Sequence, residues 1–309
     1  MRVATEYFVY LTVRIVICLA QAVPLSVCDR IAHTLAWLFS DVLRIRGKVT
    51  DENLRHAYPH WSTEQRRAIA RRMWRHLFLF VCEVAQTSRR IRRENWHQHV
   101  RIVGEAKLVR LVMTGRPLLL VTAHFGNFEL AGYLLSLFGY KIHTVARPLD
   151  NRFLDRFLHR FRASEGQEML SKQADYARIR DILADGGAVS FLADQYAGRK
   201  GSWVDFFGRP ASAHKAIPLF ALDNDAPIVV GCCRRVEDRP LQYELKLEAI
   251  ADPRELRPDQ ANPQWLAQWY HDQFESMIRE APEQYWWLHR RWKDKRGKRR
   301  RQRPQKLAA

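Results

Sequence analysis

From about residue 100 onward, short apolar runs of strand length alternate with segments of helical periodicity. Five runs have the composition of buried strands: PLLLVTA (117–123), KIHTVAR (141–147), AVSFLAD (188–194), PIVVGCC (227–233) and YELKLEAI (243–250). Helix-like segments separate most of them, notably residues 127–138, 152–163 and 173–185. Such alternation is typical of α/β proteins. It predicts a mostly parallel central sheet flanked by helices, with its chemistry at the carboxyl ends of the strands.

The region before residue 100 has helical periodicity instead. Ser62 and Gln65 form a capping box in front of a segment whose apolar residues recur at helical spacing. The opposite face of this predicted helix is basic and carries Arg66, Arg67, Arg71, Arg72 and Arg75. The basic face of such a helix is either a solvated surface over a packed core or a surface that binds phosphates, and the sequence leaves both open.

An apolar segment at residues 7–28 is long enough to span a bilayer, which takes about 20 residues. Arg14 lies inside it, and a charge at the bilayer centre costs about 2.5–3.5 kcal/mol on insertion scales. The segment is therefore predicted to associate with a membrane, either as a span or as a helix in the interface, with a buried helix of a soluble protein as the alternative. Basic residues follow it at Arg30, Arg44, Arg46 and Lys48. The positive-inside rule then predicts that the rest of the chain lies on the cytoplasmic side of the membrane.

Positive charge is concentrated at the carboxyl terminus. The 309 residues carry a formal net charge of +18, and residues 290–309 hold eleven lysines and arginines against one acid. Together with the apolar patterns, this predicts a membrane-associated helical region (1–100), an α/β domain (101–293) and a basic disordered tail (294–309). A basic protein favours polyanionic partners, which include an anionic membrane surface, an acidic protein and nucleic acid.

Metal and nucleic-acid sites have no support in the sequence. The five cysteines form no CxxC pair, and Pro59 spoils the helix that would bring His56 and His60 onto one face, so no metal site is predicted. A basic nucleic-acid-binding protein is the alternative from a different functional class. No recognition-helix, RNP or zinc-finger pattern supports that alternative, and no nucleic-acid partner is expected.

The candidate chemistry begins at HFGNFEL (124–130), directly after the strand predicted at 117–123. In one continuous helix, positions 124 and 129 would be about 140° apart, so their side chains could not meet. If His124 instead ends the strand, Glu129 lies in the first helical turn and can reach back to the imidazole. This spacing predicts His124 as a general base oriented by Glu129. Neither a GxSxG elbow nor a nearby cysteine suggests a covalent nucleophile.

Polar residues follow two further predicted strands at their carboxyl ends. Because parallel strands end at one edge of a sheet, these residues are expected to converge with His124. The candidate substrate-binding residues are Asn127, Arg147, Asp150, Asn151, Asp194, Gln195 and Arg209. Backbone N–H groups near Gly126 and Asn127, at a helix N-terminus, are candidate donors to an oxyanion, as is Arg147.

Seven segments of the chain carry a family resemblance: NLRHAYP (53–59), TAHFGNFEL (122–130), RPLDN (147–151), ADQ (193–195), VDFFGRPA (204–211), DAPIVV (225–230) and PEQYWWLHRRWK (282–293). In their order and spacing they resemble the late acyltransferases of lipid A biosynthesis, the lauroyl/myristoyl type, within the glycerophospholipid acyltransferase superfamily. The chain departs from that pattern at SAHKAIPLF (212–220), where the family commonly has a threonine and a glycine.

The resemblance implies that His124 is the base and Glu129 its partner. It also implies an acyl-carrier-protein thioester as donor and a sugar-linked 3-hydroxyacyl lipid, a lipid A precursor, as acceptor. Arg147 falls on the motif that handles acceptor phosphate. No metal or organic cofactor is expected, because a thioester is already activated. Another glycolipid, an aminolipid or a glycerophospholipid is the alternative acceptor, although the glycerol-phosphate type usually carries a proline-glutamate-glycine run that is absent here.

Overall fold

A computed structural model of the protein describes residues 2–164, 166–171 and 175–293. The predicted basic tail, 294–309, lies outside the described residues. The amino-terminal region is helical, with α1 (Arg2–Ala22), α2 (Leu25–Trp37), a π-helical turn (Leu38–Val42), α3 (Gly47–Ala57) and α4 (Thr63–Arg90). The segment predicted as one apolar unit at 7–28 is two helices, because Pro24 lacks an amide hydrogen and stands at the cap of α2.

The capping box predicted for α4 is confirmed. The Ser62 hydroxyl accepts from the Gln65 amide, and the Gln65 side chain accepts from the Ser62 amide at 2.7 Å. The basic face of α4 pairs with carboxylates of the preceding segments, as Arg71 does with Asp41. Other pairs join Arg66 to Asp51 and Arg75 to Asp29. Much of this face therefore fastens α4 to its neighbours.

The central sheet has seven strands in the order β1-β9-β8-β2-β5-β3-β4. Their bounds are β1 (Val100–Val103), β2 (Leu118–Thr122), β3 (Ile142–Ala146), β4 (Gln167–Ser171), β5 (Ala188–Leu192), β8 (Ile228–Arg235) and β9 (Tyr243–Ala251). Neighbouring strands are parallel except β8 and β9. The mostly parallel sheet predicted from the sequence is confirmed, and β2, β3, β5, β8 and β9 match the five predicted runs.

The helices of the α/β region are α5 (Glu105–Met113), α6 (Phe128–Leu137), α7 (Arg152–Ser164), α8 (Tyr176–Ala184), α9 (Ala216–Asp223) and α10 (Pro263–Glu280). A hairpin of β6 (Ser202–Phe206) and β7 (Arg209–Ala213) stands apart from the main sheet. Leu119, Val121 and Val230 belong to the principal core, together with Phe220 of α9 and Phe274 of α10. Burial of such side chains contributes about 1.5–3 kcal/mol each.

Helix α1 is long and apolar enough to cross a membrane, as judged by its length and composition. It packs against α4 and α7. Large apolar side chains on the rest of its surface are exposed, including Phe8 (70% exposed), Ile15 (60%) and Leu19 (61%). Contiguous exposed apolar surface of this kind is typical of sites that meet a membrane or another protein.

Candidate active site

His124 lies two residues beyond the end of β2, in a loop that is hydrogen-bonded to two other parts of the chain. The Gly126 amide donates to the Gln284 carbonyl at 3.1 Å, and the Asn127 amide donates to the Cys233 carbonyl at 2.7 Å. The carbonyl of His124 accepts from the Trp286 amide at 3.1 Å. Strand β8 on one side and residues 284–286 on the other therefore fix the backbone that carries the imidazole.

Glycine is required at position 126 for two reasons. Its φ is +60°, a region that side chains rarely adopt, and a Cβ there would lie 2.1 Å from the Cys233 carbonyl oxygen. The sequence HFGN thus encodes a close approach between the loop and β8.

A buried polar cluster supports this loop from behind. The Arg235 guanidinium donates to the Glu83 carboxylate at 2.5 Å and to the Tyr243 hydroxyl at 2.8 Å. Another Arg235 nitrogen lies 2.7 Å from Nδ1 of His76, and because arginine can only donate, Nδ1 must accept. Nε2 of His76 then carries the hydrogen and donates to the Gly126 carbonyl at 3.2 Å. Burial, together with the charge of Arg235, holds the pKa of His76 well below its usual range, which keeps the ring neutral.

The carboxylate that contacts His124 belongs to Asp194. Nδ1 of His124 lies 2.7 Å from Oδ1 of Asp194. Strands β2 and β5 pair in parallel with Thr122 opposite Leu192, so the residue two places after each strand meets its counterpart. Asp194 is 1% exposed. Burial alone would raise the pKa of Asp194, but the charge of His124 and the hydrogen bond to it hold that pKa well below its usual range.

Glu129 has a different partner, which corrects the predicted contact between Glu129 and the imidazole. Helix α6 does place Glu129 in its first turn, but the carboxylate faces α7 and pairs with Arg162 through both of its oxygens. Nε of Arg162 donates to Oε2 of Glu129 at 3.0 Å. Both side chains are largely buried, with 10% of Arg162 and 14% of Glu129 exposed. The five-residue spacing correctly put Glu129 near the loop but could not show which way its carboxylate points.

The other imidazole nitrogen of His124 lies beside Gln195. The side-chain nitrogen of Gln195 is 3.3 Å from Nε2 of His124, and Gln195 is exposed. Three rings surround the imidazole, with centroid distances of 5.4 Å to Phe128, 5.3 Å to Trp286 and 5.0 Å to His289. A substrate atom that displaces the Gln195 amide would therefore meet Nε2 against an aromatic wall.

His289 and Trp286 were not among the predicted site residues. Both lie in the segment PEQYWWLHRRWK (282–293), which carries part of the family resemblance. Trp287 does pack, since it is fully buried in the principal core. The burial of His289 is the main cause, and the charge of His124 the second, that lowers the pKa of His289 to about 4. His289 is therefore neutral at physiological pH.

Three buried polar atoms around the imidazole lack a hydrogen-bond partner among the residues that the structure describes. They are Oδ2 of Asp194, Nε1 of Trp286 and Nε2 of His289. Buried polar groups in folded proteins are nearly always hydrogen-bonded, so each of these three atoms calls for an explanation. Trp286 is the one of the three that can only donate.

Two of the predicted substrate-binding residues are occupied by structural contacts. Asn127 is fully buried, and it caps α6 by accepting from the Leu130 amide at 2.9 Å. Asn151 accepts from the Phe153 amide at 3.0 Å, which caps α7, and it donates to the Glu6 carbonyl at 2.7 Å. Their predicted roles in substrate binding are therefore not supported by the structure.

Among the described residues, none of the remaining candidates forms a hydrogen bond with the imidazole. Arg147 and Asp150 form an ion pair of 3.3 Å with side chains 79% and 91% exposed, a kind of surface pair that typically contributes at most about 1 kcal/mol. Arg209 is the first residue of β7. The burial of His56, and then the positive charge of Arg209, lower the pKa of His56. The structure thus brings Asp194 and Gln195 to His124, and it places Arg147, Asp150 and Arg209 outside that contact.

A narrow apolar channel of about 120 Å³ lies between the sheet and helices α5, α6 and α7. Its walls include Leu108, Leu120, Leu135, Ile142, Leu192 and Leu245. Phe128 also lines it, and the centroid of this ring lies 5.4 Å from that of the His124 imidazole. The Glu129–Arg162 ion pair forms part of its wall. A channel whose lining is mainly apolar suits an unbranched alkyl chain.

Within the described residues, no group of three histidine, cysteine, aspartate or glutamate side chains is placed to hold a metal ion. The site instead contains a histidine bonded to a buried carboxylate, an exposed amide beside the free nitrogen, and an apolar channel. Such a set can remove a proton from a hydroxyl group and hold an alkyl chain nearby.

Comparison with known proteins agrees with this chemistry. A family model described as bacterial lipid A biosynthesis acyltransferase matches residues 1–294. The lipid A biosynthesis palmitoleoyltransferase of Escherichia coli (strain K12) is 28% identical over 258 residues, which cover 81% of this chain and 80% of that protein. The lipid A biosynthesis lauroyltransferase of the same organism is 27% identical over 284 residues, covering 90% and 89%.

A third relative, a lipid A biosynthesis acyltransferase of Haemophilus influenzae, is 21% identical over 268 residues, which cover 86% of this chain and 81% of that protein. The family match extends over nearly the whole length and includes every residue of the site described above. The protein is thus an acyltransferase, and the chain belongs to the bacterial lipid A biosynthesis acyltransferase family.

Proposed function

We propose that the protein transfers a fatty acyl chain from an acyl-carrier-protein thioester to a hydroxyl group of a lipid A precursor, with His124 as general base and Asp194 as the residue that orients it. The observation that carries the proposal is the 2.7 Å hydrogen bond between Nδ1 of His124 and buried Asp194, next to an apolar channel. The names of the relatives, which are lipid A palmitoleoyl- and lauroyltransferases, support this choice of acceptor.

Asp194 sets the tautomer of the imidazole. A carboxylate that stays ionised can only accept, so the ring hydrogen sits on Nδ1 and the lone pair on Nε2 faces outward toward Gln195. The acceptor hydroxyl displaces the Gln195 amide and gives its proton to Nε2 as its oxygen attacks the thioester carbonyl. The carbon–sulfur bond then breaks, and the proton on Nε2 passes to the leaving thiolate. Asp194 stabilises the imidazolium that exists between these two steps.

The tetrahedral intermediate carries an oxyanion that needs preorganised donors. The backbone amides predicted for this role are unsuitable, because those of Gly126 and Asn127 already donate to the carbonyls of Gln284 and Cys233. Two side-chain donors remain beside the imidazole. The Gln195 amide is exposed and 3.3 Å from Nε2, and the Trp286 indole N–H has no partner among the described residues. We assign the oxyanion to these two groups.

Glu129 acts through Arg162 in this mechanism. Their ion pair joins α6, which follows the His124 loop, to α7, and it forms part of the channel wall. Removing either partner leaves a largely buried charge uncompensated, which is costly. Glu129 is therefore a positioning residue for the loop and for the acyl chain in the channel.

The exposed apolar surface of α1 supports association with the cytoplasmic face of the inner membrane, where a lipid acceptor would be available. The net charge of +18 suits an acidic donor protein and an anionic membrane. An acceptor of another lipid class would use the same His124 and Asp194 chemistry.

The test is an assay with purified protein, an acyl-carrier-protein thioester and a lipid A precursor, analysed by mass spectrometry. The proposal expects one fatty acyl chain to be added to the precursor, and a coenzyme A thioester to be a much poorer donor. Transfer to a phospholipid or an aminolipid but not to the precursor would show that the acceptor is wrong. Equal rates with both thioesters would show that the donor is wrong.

A further inference from the structure

Helix α7 carries two parallel stripes on the side away from the channel. Arginines recur every four residues at Arg152, Arg156 and Arg160, and phenylalanines recur beside them at Phe153, Phe157 and Phe161. Side chains four residues apart lie on one face of a helix. The phenylalanines face α1, with ring centroids 5.2 Å apart for Tyr7 and Phe153 and 6.4 Å apart for Tyr10 and Phe157.

A groove of about 510 Å³ lies between α1 and α7. Its lining includes three guanidinium groups, those of Arg14, Arg156 and Arg160, and the aromatic rings of Tyr7, Tyr10 and Phe157. The Arg14 guanidinium lies 4.7 Å from the centre of the Phe157 ring and donates to the Tyr10 hydroxyl at 3.3 Å.

The positive charge of this groove is not balanced by carboxylates. Other arginines near α7 are paired, as Arg162 is with Glu129 and Arg147 is with Asp150. In the described part of the chain, none of the three groove arginines has a carboxylate within 4.0 Å, and Nε of Arg14 is buried without any hydrogen-bond partner. Three unpaired guanidinium groups around one groove form a site for an anion.

The position of the groove indicates which anion it takes. One wall is α1, the helix whose apolar side chains Phe8, Ile15 and Leu19 are exposed. An anion that reaches a groove beside such a surface carries apolar chains of its own. A lipid phosphate combines a negative charge with apolar chains. The guanidinium groups match the phosphate oxygens, and the aromatic faces suit the glycerol or sugar next to the phosphate.

We propose that the groove between α1 and α7 binds the phosphate of a lipid headgroup. Arg156 and Arg160 hold the phosphate oxygens from α7, and Arg14 holds them from α1. Arg162, on the opposite face of α7, pairs with Glu129 at the channel wall, so helix α7 lies between the groove and the channel. The phosphate belongs either to the acyl acceptor, which rests on the function proposed above, or to a membrane phospholipid.

The first arm of the test measures vesicle binding and does not depend on acyl transfer. Wild type is compared with Arg156→Gln/Arg160→Gln and with a matched control, Arg110→Gln/Arg180→Gln, which removes two exposed helix arginines elsewhere. Vesicles are phosphatidylcholine with or without phosphatidylglycerol, and far-ultraviolet circular dichroism checks the folding of each variant. The groove variant should lose about thirtyfold in affinity for the anionic vesicles relative to wild type, and the control far less. The basic tail is common to all three proteins, so its contribution cancels.

The second arm measures the KM for the acceptor, with the acceptor phosphorylated or treated with phosphatase. If the phosphate is the acceptor's, the groove variant raises the KM for the phosphorylated acceptor by at least about tenfold over the control, and less for the treated one. If the phosphate is a phospholipid's, only vesicle binding changes. Groove and control variants that behave alike in both arms overturn the proposal. A wild type that transfers no acyl chain contradicts the proposed function only, because the vesicle arm still decides whether the groove binds lipid phosphate.

Discussion

Two carboxylates lie beside the loop that carries His124, and their surroundings differ. Asp194 is 1% exposed and bonds Nδ1 of the imidazole at 2.7 Å. Glu129 lies on the other side of the loop, on α6, and both of its oxygens bond Arg162 of α7. One carboxylate therefore acts on the imidazole, and the other holds two helices together at the channel wall. Proximity to a histidine does not by itself make a carboxylate its partner.

The largest expected effect comes from removing the imidazole that Asp194 contacts. His124→Ala should lower kcat by about 10⁴-fold, at the upper end of what a general base contributes. Its circular dichroism should stay close to wild type, but its thermal midpoint should fall, because the buried Asp194 carboxylate loses its hydrogen-bond partner. Steady-state kinetics with saturating donor makes the measurement, and a folded variant with near-normal turnover would remove His124 from the mechanism.

Asp194→Asn should follow, with kcat lower by on the order of 10³-fold. The amide keeps the shape of the side chain but can no longer stabilise an imidazolium, and it can donate to Nδ1 and so favour the wrong tautomer. The KM for the acceptor should change little, since Asp194 is buried. A variant that loses affinity while keeping its kcat would show that Asp194 binds substrate.

Trp286→Phe tests the proposed oxyanion donor and should lower kcat by about 10²-fold. Phenylalanine preserves an aromatic ring beside His124 and removes only the unpartnered indole N–H. Trp287→Phe is the control, because its indole N–H already donates to the Pro282 carbonyl at 2.7 Å and its effect should appear in stability. Equal loss of kcat in the two variants would mean that Trp286 contributes only packing.

Glu129→Gln should show the smallest kinetic loss of the four, about tenfold in kcat, with a lower thermal midpoint, because Arg162 is left unpaired in a largely buried position. A second substitution, Arg162→Gln, should restore part of the stability and of the rate, since it removes the uncompensated charge. Strictly additive losses in the double variant would contradict the assignment of Glu129 to a positioning role.

Much of the fold could be predicted because it depends on local patterns. The runs that became β2, β3, β5, β8 and β9 are apolar and bounded by helical segments, and the capping box at Ser62 is a local signal. Strands β1 and β4 were missed since they lie at the sheet edges, where VRIV has four residues and QEMLS is polar. Edge strands need less apolar surface and so leave a weaker pattern.

Part of the site could be predicted because it depends on where the strands end, which is a local pattern. Strand ends correctly brought His124, Asp194 and Gln195 to one edge of the sheet. The pairing of His124 with Asp194 depends on β2 and β5 being neighbours, a fact of strand order that spacing along the chain does not contain. Trp286 and His289 enter from a segment more than 150 residues away, and only the tertiary fold places them against the imidazole.

The central claim is that Asp194, and not Glu129, orients His124, and the hydrogen on Nδ1 tests it most directly. Nuclear magnetic resonance of protein labelled with ¹⁵N-histidine reports the tautomer of each ring, and a His124→Gln sample identifies the His124 signals. When its His124 ring is neutral, wild type should show a hydrogen-bonded proton on Nδ1 and none on Nε2. That proton signal should persist in Glu129→Gln and disappear in Asp194→Asn. Loss of the signal in Glu129→Gln and its survival in Asp194→Asn would contradict the account.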